Sequence, residues 1–200
     1  HRKLILPQLG AAGVSAYEVV NRSGFRVEYG PVRASDLPEY LKTGQATPEM
    51  RRVHFSVRDR LTLVPVEAVH VLVPMIAAAV VLFLLLGLRA ALGAVMSVLA
   101  GVVLFPILLP WLPTRDFSSR GFALGALAAL PFALSAALDS AFTAPWERIG
   151  WTLVYLLCLP PVTAYLALNF TGSTTFTSRS GVRRELRAYV RIMIGLLSAG

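Results

Sequence analysis

Between residues 66 and 170 the chain is built from apolar runs, and nothing else in the sequence constrains the fold as tightly. Four runs stand out, at 66–88, 90–112, 121–142 and 149–170. Each is close to the ~20 residues an α-helix needs to cross ~30 Å of hydrocarbon. Backbone N–H and C=O groups have no water to bond inside a bilayer, so runs of this kind are helices there. The composition agrees. Hydrophobic residues make up 56% of the 200, charged residues 15%, and the mean hydropathy is +0.64. Globular chains carry about 25% charged residues. A fifth apolar run starts near Ala188 and has reached Gly200 where the sequence stops. The expectation is an all-α transmembrane bundle of four full helices plus a truncated fifth, over 63–200.

The first 62 residues follow a different grammar. Residues 4–6 are apolar and end at Pro7, which suits a buried strand. QLGAAGV at 8–14 is a glycine-containing turn. A helix is expected at 15–22, stopped by Gly24, and an alternating strand at 25–29, with Gly30 and Pro31 as its turn. Ser35 is placed to cap a helix at 36–42 that Gly44 ends. A second alternating stretch, 52–57, reads as a third strand. Strand, glycine turn, helix, strand is the order of an α/β domain. Residues 1–62 are therefore read as the C-terminal part of a Rossmann-like domain. A chain beginning at His1 without a methionine is expected to be part of a longer one.

Charge is distributed unevenly. The net +8 is concentrated at the two ends, in 1–65 and 171–200, while 66–170 is balanced. Such an excess beside apolar spans points to topology and anionic headgroups rather than to nucleic acid. Residues 1–65, the 113–120 connection and the 171–187 loop all carry Lys or Arg and fall on one side if four spans cross. They are expected to be cytoplasmic, in the cytoplasmic (inner) membrane. The other side holds Arg89 and Arg148. The single cysteine, Cys158, sits in an apolar run and excludes an internal disulfide or a cysteine zinc site. No metal site is expected.

Three groups of residues carry the chemistry worth testing. The turn Gln8, Leu9, Gly10, Ala11, Gly13 and Val14 joins a strand to a helix, where backbone can approach a ligand closely and a helix N-terminus offers N–H groups. A plain strand-to-helix turn explains the same residues. Glu67 and His70 are three apart on the first span, and Asn169 reaches the same membrane edge from the fourth. Ionisable groups in a membrane segment need partners and are functional candidates. Thr171, Gly172, Ser173, Thr174, Thr175 and Thr177 belong to a hydroxyl-rich loop followed by arginines. It is either a solvated connector, with Ser180 capping a helix, or a loop that closes over something at the membrane surface. In the third span Gly121 and Gly125 form a GxxxG, a pattern that lets helices approach. HExxH, P-loop and aromatic–basic nucleic-acid patterns are missing from the sequence.

Four blocks, LILPQLGAAGVSAYEV, SGFRVEYGPVRASDLPEYL, ATPEMRRVHFSVRDRLTLVPVE and NFTGSTTFTSRSGVRRELR, together resemble the mercury-methylating corrinoid proteins of the HgcA family. That family is related to the large subunit of the corrinoid iron–sulfur protein of acetyl-CoA synthesis. The resemblance covers nearly the whole chain. It implies a cytoplasmic, corrinoid-binding α/β domain joined to a five-helix membrane domain. The implied activity is methyl transfer from a cobalamin-type corrinoid to Hg(II), giving methylmercury. A ferredoxin-like protein with two [4Fe–4S] clusters is the implied reductant, and a methyl-folate system the implied donor. By position, the turn at 8–14 is expected against the corrinoid. The threonine-rich loop is expected to face the corrinoid or the metal substrate. The family turn usually reads GAPGV, and Ala12 stands where its proline would be. The family's cap-helix motif, with a cysteine below the cobalt, has no counterpart in these 200 residues, so this stretch by itself is expected to be inactive. Two other readings stay open. One is a corrinoid methyl carrier serving another acceptor in one-carbon metabolism; the other is a transporter with Glu67, His70 and Asp139 in a polar path.

Overall fold

The computed structural model describes residues 2–53, 56–114, 116–171 and 179–200. The chain divides into two compact units, His1–His54 and Phe55–Gly200.

In the first unit, β1 (Lys3–Leu6) and β2 (Arg26–Tyr29) pair in parallel, with Lys3 opposite Arg26 and Leu6 opposite Tyr29. Parallel neighbours need a crossover, supplied here by a 3-10 turn at Gln8–Ala12 and α1 (Ala16–Ser23). Ser15 caps α1 by accepting from the Glu18 N–H, and Gly24 ends it in the left-handed region at φ 71°. After β2 a 3-10 turn (Ala34–Asp36) leads into α2 (Leu37–Thr43), so Ser35 lies inside the turn rather than capping a helix. Tyr40 of α2 is buried, and its hydroxyl donates to Glu28 of β2, which also pairs with Lys3.

Of the expected C-terminal part of a Rossmann-like domain, the described residues show one two-stranded parallel sheet with its crossover helix. Of the expected third strand, Arg52 lies in a turn, and His54 and Phe55 fall outside the described residues. Ser56 and Val57 open a helix, α3 (Val57–Leu61). The alternation of apolar and polar residues at 52–57 loses to a local signal. Ser56 and Asp59 form a reciprocal capping box, with the Asp59 N–H donating to Ser56 Oγ and the Ser56 N–H to Asp59 Oδ2, satisfying two backbone donors at once.

The second unit is helical, as is 74% of the molecule. Its main helices are α4 (Val64–Leu86), α5 (Leu88–Leu99), α6 (Phe105–Leu108), α7 (Phe117–Ala137), α8 (Pro145–Leu168) and α9 (Arg179–Ala199). A π-helical turn, Ala100–Leu104, joins α5 to α6 without a break. Pro106 explains it: a proline ring collides with the carbonyl four residues back, and a wider turn separates the two. Four helical stretches are long and apolar enough to cross a membrane: Val57–Leu86, Leu88–Leu108, Phe117–Ala137 and Pro145–Thr171. This is a membrane protein. The last helix starts at Arg179, well before Ala188, because the arginines, Glu185 and Leu186 are all good helix formers.

α7 and α8 make the most extensive contact in the molecule. Gly121 and Gly125 are the reason. A Cβ on Gly121 would lie 2.5 Å from Ala164 Cα, and one on Gly125 2.7 Å from Pro160 Cα. Phe105, Phe117 and Phe170 are fully buried beside this seam, with ring centroids 5.7 Å and 6.1 Å from Phe105.

Candidate functional site

The turn after β1 is fixed from both ends. Pro7 has no N–H to extend the ladder, and its carbonyl accepts from Gly10 at 2.9 Å. Gly10 O then accepts from Gly13 and Val14, both at 3.0 Å. The Gln8 N–H reaches Pro31 O at 3.5 Å, and Tyr29 Oη donates to Val14 O at 2.5 Å. So Gln8 and Val14 are tied to the end of β2 and the segment following it, while Leu9, 56% exposed, points outward. Among the described residues, a Cβ on Gly10 would meet nothing within 4 Å, and one on Gly13 only Gly10 O at 3.9 Å, so within the first unit the turn backbone is uncovered. Among the described residues, Gln8 Oε1 is buried without a hydrogen-bond partner. Buried acceptors are normally paired, and this one is an exception.

Beside the turn, at the C-terminal ends of both strands, lies a cavity of about 300 Å3 lined by Ile5, Leu6, Pro7, Pro31, Val32, Arg33, Ala34 and Leu37. Parallel sheets bind ligands at this end. None of the six expected turn residues lines it. The wall that sequence reasoning missed is Pro31–Val32–Arg33–Ala34, and its only signal was the Gly30–Pro31 turn. The nearby Lys3 ammonium, then the Tyr40 hydroxyl, hold the Glu28 carboxyl below its ordinary range.

The second unit gathers polar residues at one membrane edge. Asn169 Nδ2 approaches Glu67 Oε2 at 3.5 Å. His70 is exposed, and its Nδ1 lies 2.7 Å from the Val66 carbonyl of its own helix. Thr171 is buried, with its hydroxyl donating to Leu168 O at 2.7 Å. Gly172, Ser173, Thr174, Thr175 and Thr177 lie outside the described residues, as does most of the hydroxyl-rich loop. At the same edge Glu185 of α9, 4% exposed, accepts from the N–H and Oγ of Ser118 at 3.1 and 3.2 Å. This carboxylate sits on the N-terminus of α7, where unpaired N–H groups and the helix dipole favour an anion. Asp116, the residue before α7, is met by Arg184 at 3.7 Å and by Tyr189 Oη at 3.3 Å. Arg60 is also buried here. Its guanidinium donates to Ile107 O at 2.8 Å and lies over the Trp111 ring. Neither Glu185 nor Arg60 stood out in the sequence, because each is one charged residue among several on its helix.

The opposite edge is held by Arg89 and Asp139, paired at 2.6 Å. The Ala141 N–H, then Arg89, keep the Asp139 carboxyl below its usual range. Between the two edges the described interior is small and apolar, with Ser97 and Thr163 bonded to helix carbonyls. Among the described residues no three His, Cys, Asp or Glu gather as a metal site, and Cys158 lies in α8. Comparison with known proteins finds no matching family model, curated relative or solved structure.

Proposed function

We propose that this chain is the membrane-anchored, corrinoid-binding part of a methyltransferase that passes a methyl group to Hg(II), giving methylmercury. The observation that carries this reading is the turn after β1. Among the described residues its backbone is open around Gly10 and Gly13, Leu9 faces outward, and Gln8 Oε1 is a buried acceptor without a partner. These features fit one wall of a corrinoid site, which needs a broad apolar face and acceptors for the ring's amide side chains. Gln8, Leu9, Gly10, Ala11, Gly13 and Val14 would hold the group there. A bound corrinoid supplies the cobalt that carries the methyl, while the protein supplies binding and orientation. The parallel β1–α1–β2 unit is the local geometry such a domain requires, and the proposed whole is Rossmann-like.

Soft Hg(II) prefers thiolate ligands. The chain's one cysteine is in a membrane helix, so the proposed role toward the metal is passage to the methyl donor rather than storage. The proposed location is the cytoplasmic membrane, with residues 1–62 and the basic loops inside. The proposed partners are a ferredoxin-like protein with two [4Fe–4S] clusters and a methyl-folate system. The transporter reading has less support, because the described interior carries no charged side chain between the Glu67 edge and the Arg89–Asp139 pair.

The test is methylmercury formation from Hg(II) in membranes holding the complete gene product and its ferredoxin partner. Product is expected, and Gln8→Ala should reduce both corrinoid retention and rate. Corrinoid retention without methylmercury would favour a different acceptor. Loss of both, with the protein inserted and folded, would overturn the reading.

A further inference from the structure

α4 packs along α5, and α9 packs along α8. The wedge left between these two pairs is a groove of about 460 Å3, almost wholly apolar in its lining. Met75 and Ala78 come from one side of it, Tyr165 from its floor, and Val190, Ile194 and Leu197 from α9. Spacings of four and three residues keep those α9 positions on one face. Continued toward the N-terminus, the same spacing reaches Arg187 and then Arg183. Both arginines therefore stand on the groove face, roughly 4.5 Å and 10 Å beyond Val190 along the axis at 1.5 Å per residue. Their level is that of Glu185 and Tyr189, which touch Ser118 and Asp116 at the start of α7. That is the membrane edge. Both arginines are exposed, and among the described residues neither forms an ion pair. Glu67, the nearest acid on α4, is met by Asn169.

We infer that this groove is a binding site for an anionic phospholipid. An acyl chain lies in the apolar groove, and the phosphate sits on Arg183 and Arg187. Charge complementarity selects the headgroup. A groove of pure hydrocarbon character would take any chain, but two guanidiniums on its own face, with no ion pair among the described residues, prefer a net negative lipid. Long arginine stems cover apolar surface while the heads stay at the interface, which suits both halves of one lipid molecule. The site is independent of the corrinoid reading, since every residue in it belongs to the membrane unit.

The experiment uses the purified chain, equilibrated with vesicles of phosphatidylcholine and phosphatidylglycerol. Lipid retained after detergent exchange is then quantified by mass spectrometry. Wild type should retain phosphatidylglycerol in preference to phosphatidylcholine. Arg183→Gln with Arg187→Gln should remove that preference, at about fivefold for each arginine, without changing helicity or elution. Ala78→Phe, at an exposed position in the groove wall, should lower retention of both lipids. Equal retention of the two lipids by wild type would overturn the proposal. So would a preference that survives in the double variant, or unchanged retention by Ala78→Phe.

Discussion

Glu185 and Glu28 are both carboxylates held by hydroxyl donors, but their surroundings set different consequences. Glu185 is buried against the N-terminus of α7, and removing it leaves the Ser118 N–H and Oγ without their acceptor. An unsatisfied buried donor costs about 1–3 kcal/mol. Glu185→Ala should therefore lower stability by about that amount in denaturant unfolding from micelles. Ser118→Ala in the Glu185→Ala background should add little, because the interaction is already lost; two independent, additive losses would show that the pair is not coupled. Glu28 is on the surface of the first unit, and its pKa is depressed chiefly by Lys3 and then by Tyr40. A depressed folded pKa contributes stability that is present above the unfolded carboxylate range and disappears as pH falls through the folded value. Protection of the β2 amides in the whole chain, taken relative to the intrinsic exchange rate at each pH, should fall on acidification below about pH 4. Glu28→Gln should flatten that acid dependence, and an unchanged profile would remove Glu28 from the account.

At the scale of elements, the α7–α8 seam is where sequence and packing meet most directly. GxxxG in the third span predicts close approach to some helix, and the partner is α8, at Ala164 and Pro160. Gly125→Ala forces a Cβ to 2.7 Å of backbone, and overpacking of that kind costs typically about 1–3 kcal/mol. Ala126→Leu, on the exposed side of α7, is the control and should be neutral. If both substitutions behave alike in thermal unfolding, the seam does not depend on glycine. The elements that the sequence placed poorly are also informative. Residues 52–57 alternate like a strand, yet Ser56 and Asp59 cap a helix there. A capping box needs four residues and no partner strand, whereas alternation stabilises nothing until a neighbour supplies the ladder. A helix opening at Ser180 is one of two readings of the polar loop, and α9 begins one residue earlier, at Arg179; the arginines and Glu185 that precede the apolar run favour helix as well as loop.

For the whole molecule, the basic connections motivate one sidedness. In a background with Cys158 replaced by serine, Thr62→Cys and Thr143→Cys place exposed thiols at the two edges of the helical unit. The proposed orientation expects Thr62→Cys to be labelled from the cytoplasmic side and Thr143→Cys from the other. Labelling of both from one side would defeat the four-crossing arrangement, and reversed labelling would defeat the orientation alone. What the sequence determined by itself was the number and approximate extent of the four membrane helices, and the strand–turn–helix–strand order of the first unit. Both are local properties. An apolar run of about 20 residues admits one conformation in hydrocarbon, and Ser15, Gly24 and Gly44 mark ends through their own side chains or φ angles. The tertiary structure alone decided that Glu185 seats on α7, that Arg60 reaches Ile107, that Arg89 pairs with Asp139, and that a groove opens between α4 and α9. Each of these depends on which helix lies beside which. Residues 47 to 67 positions apart meet only after the helices have packed, and a helix's own sequence says which face is apolar but not which neighbour will cover it.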